Sequence, residues 1–372
     1  MRHVFMEDPN EDCFTAAKRR VTWAFNEFDT IIVSFSGGKD STCTLQLALE
    51  EATRLNKLPL RVDMFDDEML DPDTIAYTTW LSKREDILFS WFCMPILHTI
   101  RSDYRSHWIT WDETQKDVWM RPMPEGAITV ADYPSITVGM NISEAHEEVY
   151  KDRTELGKTG VMLGIRIEEA FNRRRSLIFS KGFVGNQKGL VKLKPIYDWK
   201  VRDVWKAIKE NNWPYSKIYD KWWMKNYPLS QMRVAPWGNV AQVREIRFYQ
   251  EFYPETWERA IRRMPELSAQ ARYGTSKLFL KAKAKPLNMT WQEYTYKLIN
   301  EFDEEYVRKF WIKAIDGKLR GWARKYTIPF PEENSRIDGE IDINSWKRFA
   351  QIIAKNDLVK DKYGNYSCRD LN

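Results

Sequence analysis

In the first 235 residues, short apolar runs alternate with longer segments of helical periodicity. The runs are rich in β-branched residues and short enough for strands that are buried on both faces of a parallel sheet. We expect strands at residues 31–35, 60–65, 94–100, 160–165 and 190–195. Apolar positions recur at helical spacing between them, and the predicted helices cover residues 11–28, 41–54, 73–87, 143–156 and 203–208. This alternation predicts an α/β fold with a doubly wound, mostly parallel sheet.

The pattern changes after residue 235, where helical periodicity dominates and predicts a mostly helical C-terminal part. Further helices are predicted at residues 242–252, 290–302, 303–315 and 346–354. The stretch 101–150 is rich in Trp, Pro and charged residues without a sustained period, which favours an insertion or a long functional loop. We expect three parts, which are an α/β domain over 1–235 with this insertion, a helical domain over 236–330, and a polar linker, short helix and tail over 331–372.

A glycine pair stands between the first strand and the helix that follows it, in the string Ser36-Gly37-Gly38-Lys39-Asp40-Ser41, which we call the glycine loop. Two glycines let the backbone approach a phosphate, and a helix N-terminus presents unpaired N–H groups with a partial positive charge. Lys39 would neutralise phosphate charge and Ser41 would add a hydroxyl hydrogen bond. Asp40 would orient the loop or reach a magnesium ion. The string therefore predicts a nucleotide phosphate site.

Three strand ends carry polar side chains that could meet at one pocket. Ser36, Asp66 and Arg166 each follow a predicted strand, and ligands of such sheets bind beyond the carboxyl ends of the strands. Asp66 is followed by Asp67 and Glu68, so Asp40, Asp66 and Glu68 are candidate ligands for Mg²⁺. A solvated acidic strand end would explain Asp66 and Glu68 equally well.

Composition narrows the choice of cofactor and location. The chain has four Cys and four His, without a cluster at metal-ligand spacing, so we expect neither zinc nor an iron–sulfur cluster. No apolar run is long enough to span a membrane, and we expect a cytoplasmic protein. A net charge of +5 suits a polyanionic small molecule as well as nucleic acid. Aromatic residues interleave with Lys and Arg between Trp199 and Trp257, either as a base-stacking surface or as core packing.

The string Ser34-Phe35 plus the glycine loop resembles the signature of the PP-loop superfamily of ATP pyrophosphatases and phosphoadenosine phosphosulfate (PAPS) reductases, and it is not a Walker A sequence. Three further parts of the chain resemble blocks of the PAPS reductase family. They are Asp66 with a following Pro, the segment Gly164-Ile165-Arg166 with Arg173 beyond it, and the series from Pro195 to Tyr215. The resemblance covers about residues 15–220. It implies a HUP-type fold, adenine-nucleotide binding that includes Gly164, Arg166 and Arg173, and catalytic roles for Lys39 and Arg173.

The chain departs from that family in its cysteines. PAPS reductases use a Glu-Cys-Gly motif near the C-terminus, which is missing here, and Asp67-Glu68 stands where the family has Thr-Gly. Cys368 on the polar C-terminal tail is the remaining candidate nucleophile, and an incidental tail cysteine is the other interpretation. The features beyond residue 220 resemble a branch of unassigned function, often carried by bacteria and their phages.

Three functions fit these residues. The first is an enzyme of sulfur metabolism that binds PAPS and reduces its sulfate with an external thiol donor, Cys368 or a partner protein's cysteine. The second is an ATP pyrophosphatase that adenylates a nucleobase or another acceptor. The third is a non-catalytic nucleotide-sensing or DNA-associated module, for which nucleic acid would be a partner.

Overall fold

The computed structural model describes residues 10–99, 107–151, 154–169, 182–187, 190–237, 246–273, 285–302, 305–333, 335–337, 340–342 and 345–354. Arg173 and Cys368 lie outside the described residues, as does most of the basic segment 168–175.

A six-stranded sheet forms the centre of the first part of the chain. The described part of the whole chain has ten strands, of which six belong to this sheet. In chain order the ten are β1 (Thr30–Ser34), β2 (Leu60–Phe65), β3 (Ile87–Phe92), β4 (Leu97–Thr99), β5 (His107–Ile109), β6 (Thr159–Leu163), β7 (Val184–Gln187), β8 (Leu190–Leu193), β9 (Ser335–Ile337) and β10 (Glu340–Asp342). The sheet has the order β3-β2-β1-β6-β8-β7. Its pairs are parallel except for β7 with β8, so the predicted mostly parallel sheet is confirmed. The strand order reverses between β1 and β6, where Ile32 pairs with Arg61 on one side and Val161 on the other.

Helices flank the sheet and make up most of the C-terminal part. They are α1 (Cys13–Glu27), α2 (Lys39–Arg54), α3 (Pro72–Ser82), α4 (Ile142–Lys151), α5 (Val201–Glu210), α6 (Ile218–Met224), α7 (Ile246–Phe252), α8 (Pro254–Arg263), α9 (Glu266–Tyr273), α10 (Trp291–Asn300), α11 (Glu305–Lys325) and α12 (Trp346–Ile353). The apolar sides of α1, α2 and α5 pack with the strands in one buried cluster, which includes Ala17, Val33, Ala48 and Val204. In the described part of the chain, no helix is long and apolar enough to cross a membrane.

The prediction was wrong around the third strand of the sheet. The helix predicted over 73–87 ends at Ser82, and residues Ile87–Phe92 form edge strand β3, paired with β2. In the described part of the apolar run 94–100, strand β4 is outside this sheet and pairs antiparallel with β5. The apolar residues from Ile87 onward suit a helix face and a strand equally well, and the backbone groups of β2 settle the choice by pairing with them.

Two further strand assignments differ from the sequence interpretation. Strand β7, at the sheet edge, was not predicted, because its sequence Val-Gly-Asn-Gln lacks a strand pattern. The polar stretch 331–345, predicted as a loop, contains the short antiparallel pair β9 and β10.

Two buried apolar clusters contain residues on both sides of positions 235 and 330, where we predict domain boundaries. One cluster combines Met69, Trp108 and Met120 with helices α6 to α9. Another joins α10, α11 and α12. Position 235 therefore lies inside a shared core, and the last helix packs on the helices before the polar stretch.

Candidate functional site

The glycine loop follows β1 at the point where the strand order reverses. Gly37 has φ +74°, a conformation that other residues rarely adopt, and a Cβ there would lie 2.4 Å from Thr74 Cγ2. Gly38 has ordinary angles, φ −82° and ψ 161°, and precedes the first turn of α2. A Cβ on Gly38 would meet Tyr219 Oη at 3.5 Å and Ser36 Oγ at 3.6 Å. The first glycine is required by the backbone, whereas the second could carry a Cβ at ordinary van der Waals distances.

Two serines brace the loop. The Ser36 N–H donates to Ser41 Oγ at 3.3 Å, and the two hydroxyl oxygens are 3.2 Å apart. Ser41 Oγ donates to the Gly38 carbonyl at 2.9 Å. These bonds close the loop over the N-terminus of α2, where the helix dipole favours an anion.

Lys39 is buried at the start of α2. Its Nζ lies 3.0 Å from Asp40 Oδ2 and donates to the Met232 carbonyl at 3.1 Å. Burial lowers the pKa of Lys39, and the nearby cations Arg166 and Arg233 lower it further, while Asp40 opposes this shift. Three cationic groups thus lie within electrostatic range of the loop.

Arg166, just beyond β6, connects that strand end to the glycine loop. Its Nε lies 2.5 Å from Asp40 Oδ1, and its Nη1 lies 2.9 Å from Glu168 Oε2. Although burial opposes ionisation of Asp40, Lys39 and Arg166 hold its pKa below the ordinary value. The structure therefore brings together the ends of β1 and β6.

Gly164 explains how the two strand ends approach so closely. A Cβ at this position would lie 2.5 Å from the Ser41 amide nitrogen and 2.6 Å from the Asp40 carbonyl carbon. Any side chain would push the segment after β6 away from α2. Gly164 thus contributes to the site by permitting contact.

Asp66 and Glu68, at the end of β2, are buried instead of solvated. Asp66 accepts bonds from the Trp91 indole N–H at 2.6 Å and the Glu68 N–H at 2.9 Å, and it pairs with Arg121. Both carboxylate oxygens of Glu68 pair with Arg263, 3.1 Å and 3.2 Å away, and also accept backbone N–H bonds. The interpretation of a solvated acidic end is wrong, because the segment after β5 and helix α8 cover it.

The three carboxylates named as Mg²⁺ ligands are thus bound to cations and N–H groups of the protein itself. Among the described residues, no group of three or more His, Cys, Asp and Glu side chains is placed to hold a metal ion. The arrangement gives these carboxylates structural contacts, and we derive no catalytic step through a metal held by them.

Two protein-family models match segments of the chain. Residues 129–228 match the family model of the phosphoadenosine phosphosulfate reductase domain. This segment of the chain is therefore similar to the PAPS reductase domain. The matched segment includes Gly164 and Arg166, while the glycine loop lies before it. Residues 226–328 match a second family model, described as a domain of unknown function, DUF3440.

Similar proteins include the uncharacterized protein YbdN of Escherichia coli (strain K12), with 27% identity over 96% of this chain and 89% of its own. A PAPS reductase from Candida auris, solved as a phosphate complex, has 15% identity and a TM-score of 0.35 over 60% of this chain and 89% of its own. An NH3-dependent NAD synthetase from Campylobacter jejuni has 9% identity and a TM-score of 0.33 over 74% of this chain and 100% of its own.

Sequence reasoning missed three residues that contact the glycine loop or lie near it, which are Tyr219, Met232 and Arg233. Tyr219 Oη accepts the Lys39 backbone N–H at 2.8 Å. Met232 accepts the Lys39 ammonium, and Arg233 Nη2 donates to the Glu169 carbonyl at 2.9 Å. These residues stand about 180 positions from the loop, and no local pattern marks them.

The described thiols and most of the described Trp residues between Trp199 and Trp257 are buried. Cys13, Cys43 and Cys93 are buried, and burial raises the pKa of the Cys43 and Cys93 thiols. Between Trp199 and Trp257 the structure buries five of the described Trp residues and leaves Trp223 66% exposed. Core packing therefore accounts for most of the aromatic residues considered for base stacking, which are Trp199, Trp213, Trp222, Trp237 and Trp257.

Proposed function

We propose that the chain is an enzyme that binds an adenine nucleotide, PAPS or ATP, in the glycine loop and acts at its α-phosphate or the group attached there. The observation that carries this proposal is that the loop, the N-terminus of α2 and Arg166 meet where the order of a parallel sheet reverses. Such a switch point is the ligand-binding position of open α/β sheets. The match to a PAPS reductase domain supports the same class of ligand.

The charges of the site suit an anion that gains charge during reaction. The Lys39 ammonium and the end of the α2 dipole would stabilise a phosphate, and Arg173 would add a further cation from the segment beyond Arg166. Asp40 is held by Lys39 and Arg166, so its proposed role is to orient the loop. Fixed groups of this kind stabilise charge without reorganising.

The leading reaction is reduction of a 5′-phosphosulfate. A dithiol would supply two electrons, releasing sulfite and adenosine 3′,5′-bisphosphate. The described thiols Cys13, Cys43 and Cys93 are buried, so the attacking thiolate would come from Cys368 or from an external donor.

Because those thiols are buried, the second candidate substrate is ATP. The enzyme would cleave it to pyrophosphate and transfer the adenylyl group to an acceptor. This reaction needs no cysteine. Magnesium would then enter bound to the phosphates of the nucleotide.

Isothermal titration with ATP, Mg-ATP, PAPS and adenosine 3′,5′-bisphosphate tests the proposal. Wild-type protein should bind at least one of them, and Lys39→Ala and Arg173→Ala should each weaken binding roughly 10-fold or more, as expected for a lost bond to a charged group. Lys209→Ala, on the exposed side of α5, is the control and should bind like wild type.

The ligand preference decides the reaction. Tighter binding of PAPS would favour sulfate reduction and make Cys368→Ser the next variant. Tighter binding of Mg-ATP would favour adenylation. Failure of the wild-type protein to bind any of the four nucleotides would remove the proposal.

A further inference from the structure

Tyr219 places a hydroxyl group at the mouth of the glycine loop. Its Oη accepts the Lys39 N–H at 2.8 Å, so the oxygen sits on the first turn of α2. Within the part of the chain that the structure describes, no group accepts the proton of this hydroxyl. The O–H is therefore a buried donor with capacity for one more hydrogen bond.

The position of the Tyr219 hydroxyl is set by the packing of its ring. The side chain is buried on α6, with ring centroids 5.1 Å from Trp205 and 5.4 Å from Trp222. Burial raises the pKa of Tyr219 well above its ordinary value, and Asp40 raises it further. The phenol consequently stays protonated and remains a donor at neutral pH.

The space above Gly38 lies between two hydroxyl groups. A Cβ on Gly38 would meet Tyr219 Oη at 3.5 Å, Ser36 Oγ at 3.6 Å and Val234 Cβ at 3.9 Å. Because the backbone angles of Gly38 suit any residue, glycine is not needed for the turn itself. An oxyanion bound beside Gly38 at the N-terminus of α2 would be within reach of both hydroxyls.

We propose that Tyr219 is a phosphate-binding residue of the nucleotide site, which donates its O–H to a non-bridging oxygen of the phosphate or sulfate group held above Gly38. This inference rests on the proposed function and adds a ligand from α6 to the glycine loop. The competing role is structural, in which Tyr219 only caps the first turn of α2.

The test compares Tyr219→Phe, which keeps the ring and removes the hydroxyl, with Tyr215→Phe. The Tyr215 hydroxyl donates to Asp220 at 2.7 Å, and its ring lies 5.4 Å from Trp205, so it shares the packing without reaching the loop. Isothermal titration measures the affinity of both variants and of wild type for Mg-ATP and PAPS, and urea unfolding measures their stability.

We expect Tyr219→Phe to lose roughly 10- to 100-fold in affinity for the preferred nucleotide, the usual effect of deleting a hydrogen bond to a charged group, while Tyr215→Phe binds like wild type. Unchanged affinity in Tyr219→Phe, with or without a loss of stability, would overturn the inference and leave the proposed function standing. A wild-type protein that binds neither nucleotide would overturn both.

Discussion

The two glycines of the loop serve different physical purposes at the scale of single residues. Gly37 combines a left-handed backbone with a near approach to Thr74, while Gly38 has ordinary angles and only ordinary van der Waals distances, 3.5 Å or more, around its missing side chain. The first therefore supports the fold, and the second supports the proposed binding of an anion.

This difference predicts opposite phenotypes for the two alanine substitutions. Gly37→Ala should destabilise the fold by more than the roughly 1–2 kcal/mol of a left-handed alanine, because its Cβ also meets Thr74 Cγ2 at 2.4 Å. Gly38→Ala should change the free energy of unfolding by less than about 1 kcal/mol, yet weaken nucleotide binding about 10-fold. Urea unfolding and isothermal titration measure the two effects.

Gly126→Ala is the matched control for the backbone contribution. Gly126 has φ +71°, and no atom of the residues that the structure describes lies within 4 Å of its missing Cβ, so alanine there incurs the backbone strain without the contact. If Gly37→Ala and Gly126→Ala lower the free energy of unfolding equally, the contact with Thr74 adds nothing to the backbone strain. A Gly38→Ala protein that binds nucleotide like wild type would contradict the second half of the prediction.

The glycine loop could be found from the sequence because its six residues are contiguous and lie between an apolar run and a helix. Arg166 was found from its place after a predicted strand and from a resemblance to a family, and Gly164 from that resemblance alone. Tyr219, Met232 and Arg233 could not be found in either way, because their relation to Lys39 exists only after α6 has packed against α2.

At the scale of elements, an ion pair fastens α8 to the end of β2. Glu68 and Arg263 are buried, and Arg263 also donates to the Ile109 carbonyl at 2.6 Å. The acidic string at residues 66–68 indicates exposure when considered alone, since carboxylates are seldom buried without partners. Its partners on other elements lie 25 to 195 positions away, which local patterns cannot show.

Removing one partner of this pair should be costly. Arg263→Met leaves the Glu68 carboxylate buried without its cation, and we expect a loss of about 3–5 kcal/mol in the free energy of unfolding. The double variant Glu68→Gln/Arg263→Met should recover part of that loss, because the stranded charge is gone. Urea unfolding of both variants and of Arg262→Met, an exposed neighbour on α8, measures the effect. Equal midpoints for the Arg263 and Arg262 variants would show that the pair contributes nothing.

At the scale of the whole molecule, the wall of the proposed nucleotide site depends on residues far along the chain. Helix α6 carries Tyr219, and the core beneath α6 includes Trp237, Tyr249 and Trp257. The change to helical periodicity near residue 235 correctly marked a change of secondary structure. Periodicity reports which residues are apolar and not which ones they contact, so the domain boundary at 235 stays a prediction.

A chain ending at residue 235 should therefore fail to fold cooperatively. It would expose Met69, Trp108 and Trp222, which lose their partners on α7 to α9, and it would leave Glu68 without Arg263. A chain ending at residue 284 keeps this core and loses only the cluster of α10 to α12, so it should unfold cooperatively and keep the nucleotide affinity of the full chain. Thermal unfolding followed by circular dichroism, with isothermal titration, separates the two chains. If the shorter chain melts cooperatively and binds nucleotide like the longer one, the shared core is dispensable and residue 235 is a true domain boundary.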